Sequence, residues 1–252
     1  QPCSGGEPNR GSASGMNTFA RHLIIIALAA SAVLLFGWLR TEWDPMHRWN
    51  RAFGDTAFVL VSLTMALGPI VALRPGASFL LPWRRELGIY FGVAATVHTI
   101  IVLIGWLDLD IWRLSGFALH PALQRYVLAE HGLGLGNWIG VFALIPAIGL
   151  AFISNDRALA FLGPRTWKWL QSAASGVWIL VVLHAGYFLV MHFQHFHRPE
   201  PPPNPVTWFV VGLTLSVQVL RWSATYVVWR RGIAGRRKAP TGTPDVRGTG
   251  TL

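Results

Sequence analysis

Long apolar runs alternate along the chain with short polar segments that carry most of the prolines, aspartates and histidines. Six runs reach roughly twenty residues, the length that crosses a bilayer as a helix. They are Phe19–Leu39, Ala52–Leu73, Leu87–Leu107, Gly134–Ile153, Trp167–Phe193 and Val206–Trp229. In lipid a backbone amide finds no water, so each run must satisfy its own hydrogen bonds as a helix. The pattern predicts an all-α integral membrane protein, a six-transmembrane-helix bundle over residues 19–231. Disordered segments are expected at 1–18 and 232–252. No internal repeat is evident. The first run ends in WLRTEW without a small-residue cleavage site, so a retained span is expected rather than a signal peptide. Met16 reads as the translation start, and the Gly/Ser/Pro-rich residues 1–15 as an upstream extension.

Composition agrees with the runs. Hydrophobic residues make up 52% of the 252 and charged residues 13%, about half the charged share of a soluble domain. That excludes a compact soluble enzyme and a disordered chain. The net charge of +10 suggests nucleic acid until its placement is read. Basic residues gather at the N-terminus, between the second and third runs (Arg74, Arg84, Arg85), between the fourth and fifth (Arg157, Arg165, Lys168) and at the C-terminus. Such asymmetry orients a protein in a bilayer with an anionic inner leaflet, so both termini are expected to be cytoplasmic, in a bacterial inner membrane. No nucleic-acid partner is expected. Cys3 is the single cysteine, which excludes an intramolecular disulfide and a thiolate cluster.

Two of nine histidines fall deep inside apolar runs, His98 in the third and His184 in the fifth. An ionisable side chain at membrane depth marks function by default. His98 precedes Leu107 by nine residues, as His184 precedes Phe193, which puts both about 14 Å below one membrane boundary. Two imidazoles at one height on helices running the same way can clamp a heme iron from both faces. Ala94, Ala95 and Gly105 near His98, and Ala173 and Gly176 near His184, leave room for a flat ring. A lone intramembrane histidine also serves as an interhelical hydrogen-bonding residue. The matched depth and parallel direction favour ligation. Gly88-x-x-x-Gly92 and Gly136-x-x-x-Gly140 are expected to serve close helix packing.

The segment Arg84-Arg85-Glu86-Leu87-Gly88-Ile89-Tyr90, followed by His98, resembles the RRxLGxY…H stretch that leads into the third helix of the ferric-reductase-like transmembrane domain superfamily. A second block runs from Ser154-Asn155-Asp156 through Leu162-Gly163 to Trp167-Lys168-Trp169-Leu170. It resembles the SN…LG…WKxL segment of the MsrQ/YedZ family of heme-binding membrane subunits. The resemblance covers residues 50–195 and implies six helices, heme iron as the metal, and service to a periplasmic methionine-sulfoxide reductase system. His184 falls at the family's later fifth-helix histidine. Gln171 stands where the family's WKxLH has another histidine, and glutamine is a poor heme ligand. One heme b is therefore expected, on His98 and His184. No CxxCH occurs for covalent attachment.

His192, His195 and His197 form HFQHFH at the end of the fifth run. They read as a half-wet interfacial belt or, with His47, His120 or His131, as an outer-face metal site. Arg221 interrupts the sixth run. It either snorkels to the cytoplasm or joins Gln218 and Gln171 in a polar pocket for a quinone headgroup or a flavin.

The first functional reading is an oxidoreductase subunit for electron transport. It would carry electrons from the quinone pool or a cytoplasmic flavin reductase to a periplasmic redox partner, with no catalytic residues of its own. The donor is expected to be borrowed, because no nicotinamide- or flavin-binding domain follows the last run. The alternatives are a scaffold subunit of a larger membrane complex with a vestigial or absent heme, and an outer-face metal reductase.

Overall fold

The computed structural model describes residues 17–129, 132–191 and 204–238. The expected outer-face residues His131, His192, His195 and His197 lie outside these, as do residues 1–16 of the expected N-terminal extension and 239–252 of the expected tail.

The elements in order are α1 (Thr18–Trp38), α2 (Pro45–Leu73), a 3-10 segment (Pro75–Leu80), α3 (Trp83–Gly105) and a short α4 (Ile111–Leu114). Strands β1 (Phe117–His120) and β2 (Arg125–Leu128) follow, then α5 (Leu133–Phe152), α6 (Asp156–Ser172), α7 (Ala174–Gly186), a π-helical turn (Tyr187–Met191) and α8 (Thr207–Lys238). Five helical segments are long and apolar enough to cross a membrane: α1, α2, α3, α5, and the stretch Asp156–Leu189 that joins α6, α7 and the π turn. The chain is a multi-pass membrane protein. The sixth expected run lies in α8, which is helical but is not among these five, as Gln218 and Arg221 dilute its apolar character.

Three expectations need correction. Helix α2 begins at Pro45 and not Ala52, because Asp44 caps it by accepting from the backbone N–H groups of Met46 and His47, and Pro45 suits the first helical position. The fifth run is not one helix: α6 ends at Ser172, α7 begins at Ala174, and the path passes into the π-helical turn at Tyr187. Ahead of the run Gly163 adopts φ +76°, open to glycine at little cost, and Pro164 follows it, so α6 kinks there. The described residues are mostly helical, as the all-α reading expects, with one short antiparallel hairpin of β1 and β2, in register from Phe117 opposite Leu128 to His120 opposite Arg125. In addition, α8 continues to Lys238, past the Arg231 boundary set for a disordered tail.

Helix α2 is the hub, packing against α1, α3, α7 and α8. Within its most apolar stretch 44% of residues are buried, against 11–22% in the other candidate spans. Its buried hydroxyls need no outside partner: Thr56, Ser62 and Thr64 donate to the carbonyls of Ala52, Phe58 and Leu60, four residues back. Large apolar side chains such as Leu28, Leu34, Ile104, Phe142 and Ile145 point away from the bundle, as a lipid solvent allows.

Two buried ion pairs fasten α1. Arg40 donates to Phe36 O at 3.1 Å, to Asp55 Oδ2 at 2.5 Å and to Asn204 Oδ1 at 3.0 Å, joining the end of α1 to α2 and to the chain leading into α8. Near the other end Arg21 Nε donates to the buried Glu86 of α3 at 3.0 Å.

Candidate functional site: two facing imidazoles in a cavity

His98 on α3 and His184 on α7 face one another, with ring centroids 6.2 Å apart and ring planes 84° apart. Each ring is held from behind. His98 Nδ1 lies 3.0 Å from Asn50 O on α2, and His184 Nδ1 lies 2.9 Å from Gly136 O on α5. A carbonyl only accepts, so a neutral ring must carry its N–H on Nδ1, which leaves Nε2 with a free lone pair. A backbone carbonyl in this position also sets ring orientation and raises ligand basicity. Metal–imidazole bonds run to about 2.0–2.1 Å and a ring's centre lies about 1.1 Å behind its donor nitrogen, so two imidazoles sharing one metal have centroids about 6.3 Å apart. The observed spacing fits such a metal, and the residues present fit the expected heme.

The two histidine seats repeat one design. In both, the accepting carbonyl lies 48 residues before the histidine, and a glycine stands one helical turn after that carbonyl. A Cβ at Gly54 would come within 3.1 Å of His98 Nδ1, and one at Gly140 within 2.7 Å of His184 Cε1. Neither ring could keep its place against a larger residue. This internal correspondence is invisible in the pattern of apolar runs. It gives the Gly136-x-x-x-Gly140 pair a more particular role than helix packing. Gly88-x-x-x-Gly92 remains a packing feature, since a Cβ at Gly92 would lie 3.4 Å from that of Ala151.

The imidazoles project into a cavity of about 860 Å³, within the range of small-molecule and cofactor sites, roughly 300–1,000 Å³. Phe58, Phe91, Leu144 and Val181 form apolar walls. Toward the α1–α2 turn the lining becomes polar, with Glu42, Asp44, His47, Asn50, Arg51 and Asp55. At that end the His47 and Trp106 rings meet with centroids 4.0 Å apart. Hydrogen bonds from the His47 ring and backbone N–H hold the Asp44 carboxyl below the usual carboxylate range. Away from the turn the space closes: Trp178, Phe58, Met65 and Leu87 are buried, and the Phe58 and Trp178 rings lie 5.9 Å apart.

Of the other expected site residues that are described, His47 lines this cavity, whereas Gln171, Arg221 and His120 do not. Gln171 donates to Ser154 Oγ at 3.2 Å, near the α5–α6 connection. Arg221 lines a separate crevice that includes neither Gln171 nor Gln218. His120 Nδ1 accepts from the N–H groups of Ala122 and Leu123 within the hairpin turn. No cluster of three metal-ligating side chains occurs among the described residues. Of the small residues expected to make room, Ala95 lines the cavity and Ala94, Gly105, Ala173 and Gly176 do not. Gly54, Gly140, Ala95, Ala143 and Ala185 line the cavity, whereas Gly105 is pressed against Met46 and a Cβ at Gly176 would meet nothing. Arg51 and Asp55 were missed as cavity residues. Asp55 carried the signal, a carboxylate inside an apolar run, which warrants the same attention as an intramembrane histidine.

Comparison with known proteins places this geometry. Among curated proteins, MsrQ of Ralstonia nicotianae, described as a protein-methionine-sulfoxide reductase heme-binding subunit, is 28% identical over 141 residues, 56% of this chain and 58% of that protein. The magnetosome protein MamZ of Paramagnetospirillum magneticum is 27% identical over 153 residues, 56% of this chain and 20% of its own length. MamZ of Magnetospirillum gryphiswaldense is 26% identical over 141 residues, with 56% and 19% covered. The chain thus spans less than two thirds of each of these relatives. The sequence model of the family described as ferric reductase like transmembrane component matches residues 53–182, which include His98 and end just before His184. The chain belongs to the ferric reductase like transmembrane component family.

Proposed function

We propose that this chain is a heme b-binding electron-transfer subunit of a bacterial inner membrane, holding one heme between His98 and His184. Both termini are then cytoplasmic, and α8 crosses the bilayer as the sixth span. The observation that carries the reading is the pair of imidazoles 6.2 Å apart, each with Nδ1 against a carbonyl and Nε2 left free. The similarity to a relative described as a heme-binding subunit supports it.

A heme held by His98 and His184 would supply a one-electron redox centre, which suits electron carriage. The protein does the rest. Asn50 O and Gly136 O orient the ligands, Gly54 and Gly140 give the rings their seats, and the apolar walls exclude water. The closed packing around Trp178 and Phe58, with Gln171 bound to Ser154, supports a single heme. Electrons enter from a quinol or a reduced flavin on the cytoplasmic side. They leave toward the α1–α2 turn, where the cavity becomes polar, to a periplasmic oxidoreductase partner or a larger membrane complex.

The test is reduction of the purified protein in liposomes. A quinol analogue or a reduced flavin should reduce a low-spin b-type chromophore present at one per chain. A colourless protein, as the scaffold reading expects, or a heme that neither donor reduces, would overturn the proposal.

A further inference from the structure

A second crevice, of about 500 Å³, opens between α2, α3, α7 and α8 at the end of α2 remote from the α1–α2 turn. Met65, Ala72, Val228 and Trp229 make its walls apolar, while Arg84, Arg221 and Ser175 supply its polar groups. Arg221 Nη2 donates to Ser175 Oγ at 3.1 Å, and its Nη1 is buried with no partner among the described residues. No carboxylate pairs with Arg84 or Arg221 among the described residues, and the nearby Glu86 is taken by Arg21. Arg231 at the rim donates to Ala72 O. Two guanidiniums therefore face one apolar crevice without a counter-ion, which is unfavourable near lipid unless an anion joins them.

The occupant must be anionic at one end and apolar along its body. Arg84 lies in the first turn of α3, the level at which phosphate groups border the hydrocarbon, and Met65 continues the wall along α2 toward the bilayer interior. We propose that this crevice binds an anionic phospholipid, its headgroup phosphate between Arg84 and Arg221 and hydrogen-bonded by Ser175, with Val228 and Trp229 on the headgroup side and its acyl chain passing Met65 toward the bilayer interior. A zwitterionic headgroup carries its own cation and matches two arginines less well, so the site discriminates by net charge.

The full chain in detergent can be tested by native mass spectrometry with dioleoylphosphatidylglycerol or dioleoylphosphatidylcholine at equal concentration. The wild type should retain phosphatidylglycerol in preference to phosphatidylcholine. Arg84→Gln/Arg221→Gln, checked for folding by circular dichroism and size exclusion, should lose the preference by roughly tenfold or more. A second measurement needs no charge variant. Phosphatidylglycerol should shift the emission that Trp229→Phe removes, and phosphatidylcholine should shift it less. Equal retention of the two lipids, an unchanged preference in the folded double variant, or displacement of the lipid by millimolar inorganic phosphate (a free-anion site) would overturn the proposal.

Discussion

The ring planes of His98 and His184 stand 84° apart, close to perpendicular. That angle follows from the helices behind them, since each Nδ1 is directed at a carbonyl of a different helix, α2 for His98 and α5 for His184. A ligand pair locked in this way transmits its geometry to any metal it shares.

The first prediction is spectroscopic. Perpendicular axial imidazoles give ferric heme a strongly anisotropic low-spin electron paramagnetic resonance signal, and parallel ones the familiar rhombic signal. The oxidised protein should show the former. A rhombic signal would mean that the rings turn on loading and that the Nδ1–carbonyl bonds do not hold them.

Glycine at positions 54 and 140 is required by proximity. A Cβ at 140 would lie 2.7 Å from the His184 ring, and one at 54 would lie 3.1 Å from that of His98. Overpacking of a filled site costs about 1–3 kcal/mol, so Gly140→Ala should weaken heme retention roughly tenfold or more, and Gly54→Ala less. The heme-to-protein ratio after dialysis against apomyoglobin checks this. Equal retention in both variants and the wild type would remove the glycines from the account.

Much of this architecture is legible in the sequence, because apolar length reports burial in lipid and an ionisable group in such a run stands out. His98 and His184 were accessible on that ground, as were the approximate bounds of α1, α3 and α5. The rest depends on contacts between distant segments. Gly54 and Gly140 look like ordinary small residues until a ring from another helix lies against them. The break at Ala173 is hidden inside a continuous apolar run, and the β1–β2 hairpin is too short to show its pattern. Arg221 and Gln171 both read as intramembrane polar groups, yet only the fold separates them.

Restoring the family-like histidine should not restore a second heme. In Gln171→His the new imidazole would stand near Ser154, and buried Trp178, Phe58 and Met65 occupy the interior beyond the cavity. Pyridine hemochromogen assay of the variant should still give one heme per chain. A ratio of two would show that this interior can open.

The Arg40–Asp55 pair should matter for stability. Arg40 is buried, and its removal takes from the largely buried Asp55 its hydrogen-bonded ion-pair partner, leaving only the attraction of Arg51. Loss of one partner from a buried pair costs about 3–5 kcal/mol, whereas apolar replacement of both is often close to neutral. Arg40→Leu should therefore lower the thermal midpoint in detergent, and Arg40→Leu/Asp55→Leu should recover most of the loss. A double variant less stable than the single one would contradict this coupling.

The reduced-minus-oxidised absorption spectrum of the purified wild type beside His98→Ala and His184→Ala tests the central claim most directly. The account predicts a low-spin b-type spectrum in the wild type and its loss in each single variant, with both variants still folded and inserted in the membrane. An unchanged low-spin spectrum in either variant would show that the imidazole pair does not hold the heme.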